Sequence, residues 1–351
     1  MSWQDTLRAR RQQARGKRIT VGFDGFADTI VRPLRQAATA GQDAQPFETI
    51  RAFGEFLISK AEKSCSVELA VEARQLGGNL PFLSRAAGGL GADVTCIGML
   101  GEPGTIDPLF AAMPCALYSF AAPGQSTCME FNDGKVLLAS DCTLPGDPWQ
   151  RVLDATGGKA PDLFRQADLL ALVNWSELSF ADALWQCVLD AVAAQPADKA
   201  RFAFFDLCDV SRKMSDELEA VLGRIGAFAG YRTAVLSLNE NEALVTAERL
   251  LRGQTDPAEI AQAVRAAYGI DEVIVHTIHE SVLVTLRGVT RQATDFVEHP
   301  RISTGAGDNF NGASCFAAVM GLPDEERIAF ANAFAHRYVS TGRNPTLDEL
   351  L

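Results

Sequence analysis

The sequence predicts an α/β fold on a mostly parallel central sheet, and three observations predict it. Apolar runs recur through the second half of the chain, at ADLLALVNW, ARFAFFDL, RTAVLSLN, DEVIVHTI and SVLVTLRG. Stretches of helical spacing, such as 180–194 and 215–227, separate the first four. Near the N-terminus, RITVGFDGF reads as a strand running into a glycine-punctuated turn. Apolar strands alternating with amphipathic helices belong to parallel sheets covered on both faces, and such sheets bind ligands beyond the carboxyl ends of their strands.

Taken in order, the basic N-terminal stretch reads as a polar helical lead-in, because no apolar core follows its arginines as a signal peptide requires. Residues 29–64 are mixed, with a helix expected over 49–63. VELAVEARQLGGNLPFLSRAAGGLGADVTCIGMLG then gives a short strand, a turn, an Ala-rich helix and a buried strand. Between 115 and 141 the rhythm changes. Two β-type runs flank Asn132-Asp133-Gly134, a hairpin signal. The expected organisation is one domain over 1–351 with a small β lid from segments near 29–50 and 115–143.

Composition narrows the function. Apolar residues make up 47% and charged ones 22%, the balance of a globular protein. A net charge of −12 argues against a nucleic-acid partner, which clustered Lys and Arg would attract. No run approaches the ~18 apolar residues of a membrane helix. The eight cysteines form no C-x-x-C pair, several sit in apolar runs, and they read as reduced thiols of a cytoplasmic protein.

The most informative segment is ISTGAGDNFNGASCFAAVMGL. Gly305-Ala306-Gly307 suit a tight turn into a helix, whose first amides and dipole favour an anion. Asp308 follows at once. A carboxylate there caps a helix, or takes a proton from an attacking hydroxyl; the segment alone leaves both open. GGNLPFLSRAAGGLG, VGFDGFADTI and SLNENEA are three further glycine- or carboxylate-bearing segments at strand ends.

STGAGDNFNGA resembles the C-terminal signature of the ribokinase-like (PfkB) family of carbohydrate and nucleoside kinases, and the other three segments resemble its remaining motifs in the family's order. The resemblance runs from about residue 20 to 346. It implies a ribokinase-like three-layer sandwich with a small β lid. It also implies transfer of the terminal phosphoryl group of ATP to a sugar hydroxyl, with Mg²⁺. Asp308 would be the base, and the amides of Gly305, Ala306 and Gly307 the anion hole. Gly77, Gly78 and Asn79 would approach the sugar, with Asp28, or Asp24 as second choice, binding hydroxyls. Asn239 and Glu242 would organise water around Mg²⁺, and Thr277, Thr304 and Asn332 would meet the nucleotide. Relatives pair through their lid sheets, so a homodimer is the assembly implied.

Departures from the family pattern set the alternatives. Ile302 stands where an aspartate of a monovalent-cation site is usual, and Phe82 where the first signature has asparagine. Thr277-Ile278-His279-Glu280-Ser281 lacks two glycines, so that His279 fills space left open for the nucleotide. ADP as donor, a nucleoside as acceptor, or binding without transfer are the competing readings. His276 and His279 at spacing three point to opposite faces of a strand, which disfavours a shared metal. Asp206, Asp209, Arg212 and Trp175 sit at strand ends with no assigned role.

Overall fold

The computed structural model describes residues 2–40, 42–140 and 142–351. Its strands run, in chain order, β1 Arg18–Phe23, β2 Phe26–Gln36, β3 Gln45–Pro46, β4 Leu69–Gly77, β5 Asp93–Gly98, β6 Ala116–Ser119 and β7 Gly124–Phe131. They continue with β8 Gly134–Ala139, β9 Leu169–Val173, β10 Phe202–Asp206, β11 Thr233–Asn239, β12 Glu272–His276, β13 Glu280–Thr285 and β14 Gly288–Ala293. The chain divides into two compact units, one of Met1–Gly25, Gly78–Ala122 and Cys142–Leu351, the other of Phe26–Gly77 and Pro123–Asp141.

The first unit holds a nine-stranded sheet in the order β14-β13-β12-β11-β10-β9-β1-β5-β6. Pairing is parallel from β6 to β12 and antiparallel only at the β12-β13-β14 edge. All five side chains of β9 are fully buried, which requires cover on both faces of the sheet. Its helices keep ordinary start and stop signals: Asp256 caps Pro257–Tyr268, and Gly269 ends that helix in the left-handed conformation. From β1 the chain builds outward through β5 and β6, then returns to place β9 on the other side of β1. The direction of winding therefore reverses between β1 and β9, and a crevice for ligands opens at the carboxyl ends there. Among the described residues no helix is long and apolar enough to cross a membrane.

The second unit is a five-stranded sheet centred on β2, which pairs antiparallel with β4 and parallel with β7. β7 and β8 form the hairpin around Asn132-Asp133, with Phe131 opposite Gly134. Helix Ile50–Ser59, capped by Thr49, closes one face through Phe53 against Val31, Phe47, Met129 and Phe131. The Asp133 carboxylate accepts the Ile50 amide at 2.8 Å, tying the hairpin turn to the helix start.

Two local expectations change. The mixed stretch from 29 contains most of an eleven-residue strand, β2, whose Asp28, Thr29, Arg32 and Pro33 interrupt the alternation that would announce it. Residues 116–119, grouped by sequence with the hairpin, join the large sheet as β6 beside β5.

Candidate active site

Two carboxylates organise the carboxyl ends of the central strands. Asp24, just after β1, is fully buried. It accepts the amides of Asn79 and Leu80 at 2.7 and 2.9 Å and the Asn174 side-chain amide at 2.8 Å. Helix Asn79–Gly89 starts from Gly78, which has no side chain to cap it, so Asp24 supplies the cap from another strand. Burial pushes Asp24 up to about 6, the three hydrogen bonds opposing and Asp206 adding to the rise. Asp206, the last residue of β10, accepts the Cys208 amide at 2.9 Å and the Asn311 side-chain amide at 2.7 Å. Burial raises it too.

The glycine loop behaves differently. Helix Ala306–Val319 starts from Gly305 in the left-handed region, φ 76°. A Cβ on Gly305 would stand 2.8 Å from the Phe82 ring, so glycine is demanded by both backbone and space. The Ala306 amide reaches the Ser303 carbonyl at 3.2 Å. Those of Gly305 and Gly307 have no backbone acceptor among the described residues. The Tyr338 hydroxyl donates to the Thr304 carbonyl at 2.8 Å and fixes the loop from behind. Asp308 lies in the first helical turn, half-buried. Burial first, then the charges of Asp206 and Asp24, hold its carboxyl well above the usual range.

Ala306 and Gly307 form part of the wall of a cavity of about 880 Å³, which also involves Asn239, Thr277, Phe296, Pro300, Asn332 and Val339. That size and its largely apolar wall suit a nucleotide-sized ligand. His276 belongs to the wall as well, its ring 5.0 Å from Phe310 and close enough to Gly307 that a Cβ there would sit 3.1 Å away. Burial lowers His276 to about 4, keeping it neutral. His279 is outside the lining: it lies exposed, 5.8 Å from the Phe296 ring, and leaves the cavity open. Thr277 Oγ1 is engaged in its own turn, accepting the amides of His279 and Glu280 at 3.0 Å.

Asn239 caps helix Glu240–Leu250, and Glu242 answers its amide at 2.9 Å, the reciprocal box the N-x-x-E spacing permits. Glu242 is 4% exposed and pushed well up by burial, then by Asp206 and, further down, Asp308. Among the described residues no three His, Cys, Asp or Glu converge as a metal cage. The residues present nevertheless fit a hydrated Mg²⁺: Asn239 on the cavity wall and the Glu242 carboxyl paired to it offer hard oxygen donors at one remove, which suits an ion that keeps its water.

The first unit thus brings together Asp24, Asn79, Asn239, Glu242 and Asp308, with Gly305, Ala306 and Gly307. Thr304 contributes its carbonyl to Tyr338, and Asn332 takes the Ser281 hydroxyl at 2.7 Å. Asp28 belongs to the second unit, on β2, where Ser126 donates to its carboxylate and Gly77 must lack a Cβ to clear it. Burial raises Asp28, with Ser126 and Lys135 opposing. Sequence reasoning passed over Asn174, Asn311 and Tyr338. Asn174, in the left-handed region at φ 59°, follows an apolar strand, and that position was the signal available.

The model of the prokaryotic ketohexokinase family matches residues 4–351. The ketohexokinase of Haloferax volcanii is 27% identical over 344 residues, covering 95% of this chain and 90% of that protein. Among solved structures, Arabidopsis thaliana ribokinase complexed with ribose and ATP superposes with a TM-score of 0.62 at 19% identity, covering 95% of this chain and 96% of that one. Phosphofructokinase-2 of Escherichia coli in complex with potassium gives 0.67 at 14% identity, with 95% and 96% covered. These structures share the fold. The chain belongs to the prokaryotic ketohexokinase family, carbohydrate kinases of the ribokinase type that transfer a phosphoryl group to an alcohol.

Proposed function

We propose that the protein phosphorylates a hydroxyl of a ketohexose, with ATP as donor and Asp308 as the base. The observation that carries this reading is the unpartnered amide of Gly307 on the wall of a nucleotide-sized cavity, with that of Gly305 two residues before it and a carboxyl of raised proton affinity one residue further on. The names of the family and of the Haloferax relative supply the substrate class. The apolar wall would take the base of the nucleotide and the loop its terminal phosphate. Asn239 and Glu242 would hold the waters of a Mg²⁺ ion, which would supply charge neutralisation for the phosphates.

The acceptor hydroxyl gives its proton to Asp308 and its oxygen bonds to the terminal phosphorus. The bond from that phosphorus to the bridging oxygen breaks, and the nucleoside diphosphate leaves. Charge on the transferring group falls to the amides of Gly305 and Gly307, helped by Ala306 and the helix dipole. Raised proton affinity makes Asp308 a better acceptor near neutral pH than an ordinary aspartate. Asn79, held by Asp24, would meet the sugar. Asp28 on the small sheet would bind hydroxyls, and that sheet would act as the lid.

The test is turnover with ATP and with ADP across ketohexoses, aldoses and nucleosides, in wild type and Asp308→Asn. Expected are ketohexose phosphorylation with ATP and a loss of about a thousandfold in Asp308→Asn with sugar affinity kept. Wild-type turnover in that variant removes Asp308 as base. A preference for ADP or for nucleosides overturns the donor or the acceptor assignment separately.

A further inference from the structure

We propose that Asp206 is the positioning residue that locks the catalytic helix to the sugar-recognition segment and sets a second carboxyl beside Asp308. The proposal rests on the reading of Asp308 as base. It begins with one carboxylate that serves three elements. Cys208 of the following loop donates its amide at 2.9 Å and Asn311 its side-chain amide at 2.7 Å, while the side chain of Asn79 acts on the same carboxyl, opposing the rise that burial causes.

Asn311 is three residues beyond Asp308 in helix Ala306–Val319, a spacing that puts the two on neighbouring positions of one helix side. It is fully buried, and its other amide atom accepts the Ser237 hydroxyl of β11 at 2.7 Å. Both ends of the amide are therefore fixed to the sheet. The helix cannot turn or slide without breaking both bonds and stranding buried polar groups.

On its other side the same residue ends a chain of bonds through its backbone carbonyl. Asn79 donates its amide to Asp24, Asn174 donates its side chain to Asp24, and the Asn174 amide returns to the Asp206 carbonyl at 2.9 Å. The chain spans β1, β9, β10 and the start of helix Asn79–Gly89, across the point where the winding reverses. A displacement of the residue proposed to meet the sugar is thus passed, through Asp24, Asn174 and Asp206, to the helix that carries the base. Packing alone would be served as well by an apolar residue, since a buried carboxylate is expensive unless its charge or its geometry is used.

The ionisable groups facing Asp308 are Asp206 from β10, Asp24 after β1, Glu242 from helix Glu240–Leu250 and Tyr338 from helix Asp324–Thr341. Those facing Asp206 are Asp24, Glu242 and Asp308, with the thiols of Cys208 and Cys315. Asp206 heads the charges that raise the base. Removing it lowers the pH at which Asp308 loses its proton, and the acid limb of the activity profile moves to lower pH.

Asp206→Asn is nearly isosteric, and its partners can adapt because both asparagine amides flip and the Ser237 hydroxyl rotates. The pH dependence of kcat, the KM values for sugar and for ATP, and the melting temperature are measured for wild type, Asp206→Asn and Asn311→Ala. Expected for Asp206→Asn is an acid limb about one pH unit lower. Its sugar KM rises and its plateau kcat falls about tenfold or more, with the ATP KM little changed. Asn311→Ala cuts the tether and keeps the charge, so kcat falls without that shift.

An unmoved acid limb and an unmoved sugar KM in Asp206→Asn overturn the proposal, and so does a drop in melting temperature as the sole change. Should Asp206→Asn fail to fold, Asn311→Ala decides: wild-type kcat there sinks the tether. Either failure leaves Asp308 as base if Asp308→Asn is inactive. An active Asp308→Asn instead removes the base itself.

Discussion

Two helices in the first unit begin in the same way and end up doing opposite things with their first amides. Asn79–Gly89 and Ala306–Val319 both start from a glycine at positive φ, 88° and 76°, with no side-chain cap of its own. At the first helix the fully buried carboxylate of Asp24 accepts two of the amides. At the second, Gly305 and Gly307 are left without a backbone acceptor, and the nearby carboxylate sits inside the first turn rather than across its mouth. An N-terminus closed by an internal anion is structure. One left open beside a cavity is a site for an external anion. The contrast supports the proposed placing of the phosphate at the Gly305 loop, while the amides after Gly78 are already taken by Asp24.

The sharpest way to break that assignment is Gly305→Ala. The added Cβ meets the Phe82 ring at 2.8 Å and forces alanine into the left-handed region. Expected is a fall in kcat of about a hundredfold or more, because the amides aimed at the transferring group move. Adding Phe82→Ala, which removes the ring from its Cγ outward, relieves the steric half of the damage but not the backbone half, so the double variant recovers in part. Steady-state kinetics on the three proteins measure it. Full activity in Gly305→Ala would show that the loop geometry is not used.

Asp24 gives the counterpart on the closed helix, and its readout is stability. Its folded value of about 6 lies above its ordinary 3.8. Between those values the folded protein keeps a proton that the unfolded chain has released. Stability from this group is therefore full below pH 4 and lost as pH rises through 6, by about 3 kcal/mol. Asp24→Asn does not titrate. It loses hydrogen-bond quality at every pH, but the gap between wild type and variant in urea unfolding narrows by about that amount from pH 4 to pH 7. A constant gap contradicts the buried, raised carboxylate.

Much of this contrast was legible in the sequence, and the illegible part has a physical cause. GAGD announced a turn, amides and a carboxylate, because each of those depends on residues next to one another. The strands of the large sheet were equally plain, since burial on both faces leaves apolar runs. Asp24 and Asp206 were visible only as carboxylates after strands. What each does depends on Asn79, Asn174 and Asn311, which lie 55, 150 and 105 residues away. Such pairings are set by strand order, and no local pattern encodes strand order. β2 was obscured for a different reason: Asp28 and Ser126 face one another on paired strands, so a buried polar pair replaced the apolar alternation.

The smallest expected effect separates holding the loop from making it. Tyr338 donates its hydroxyl to the Thr304 carbonyl at 2.8 Å, just before Gly305. Burial drives its hydroxyl up to about 12, so it stays a donor throughout the working pH range. Tyr338→Phe keeps the ring and removes one hydrogen bond, a loss of about 1 kcal/mol in stability. If the open amides of Gly305 and Gly307 owe their aim to the backbone conformation, kcat falls only a few-fold and the acid limb stays in place. If they owe it to Tyr338, kcat falls as far as in Gly305→Ala, and the phosphate site is built by the helix Asp324–Thr341 as much as by its own glycines.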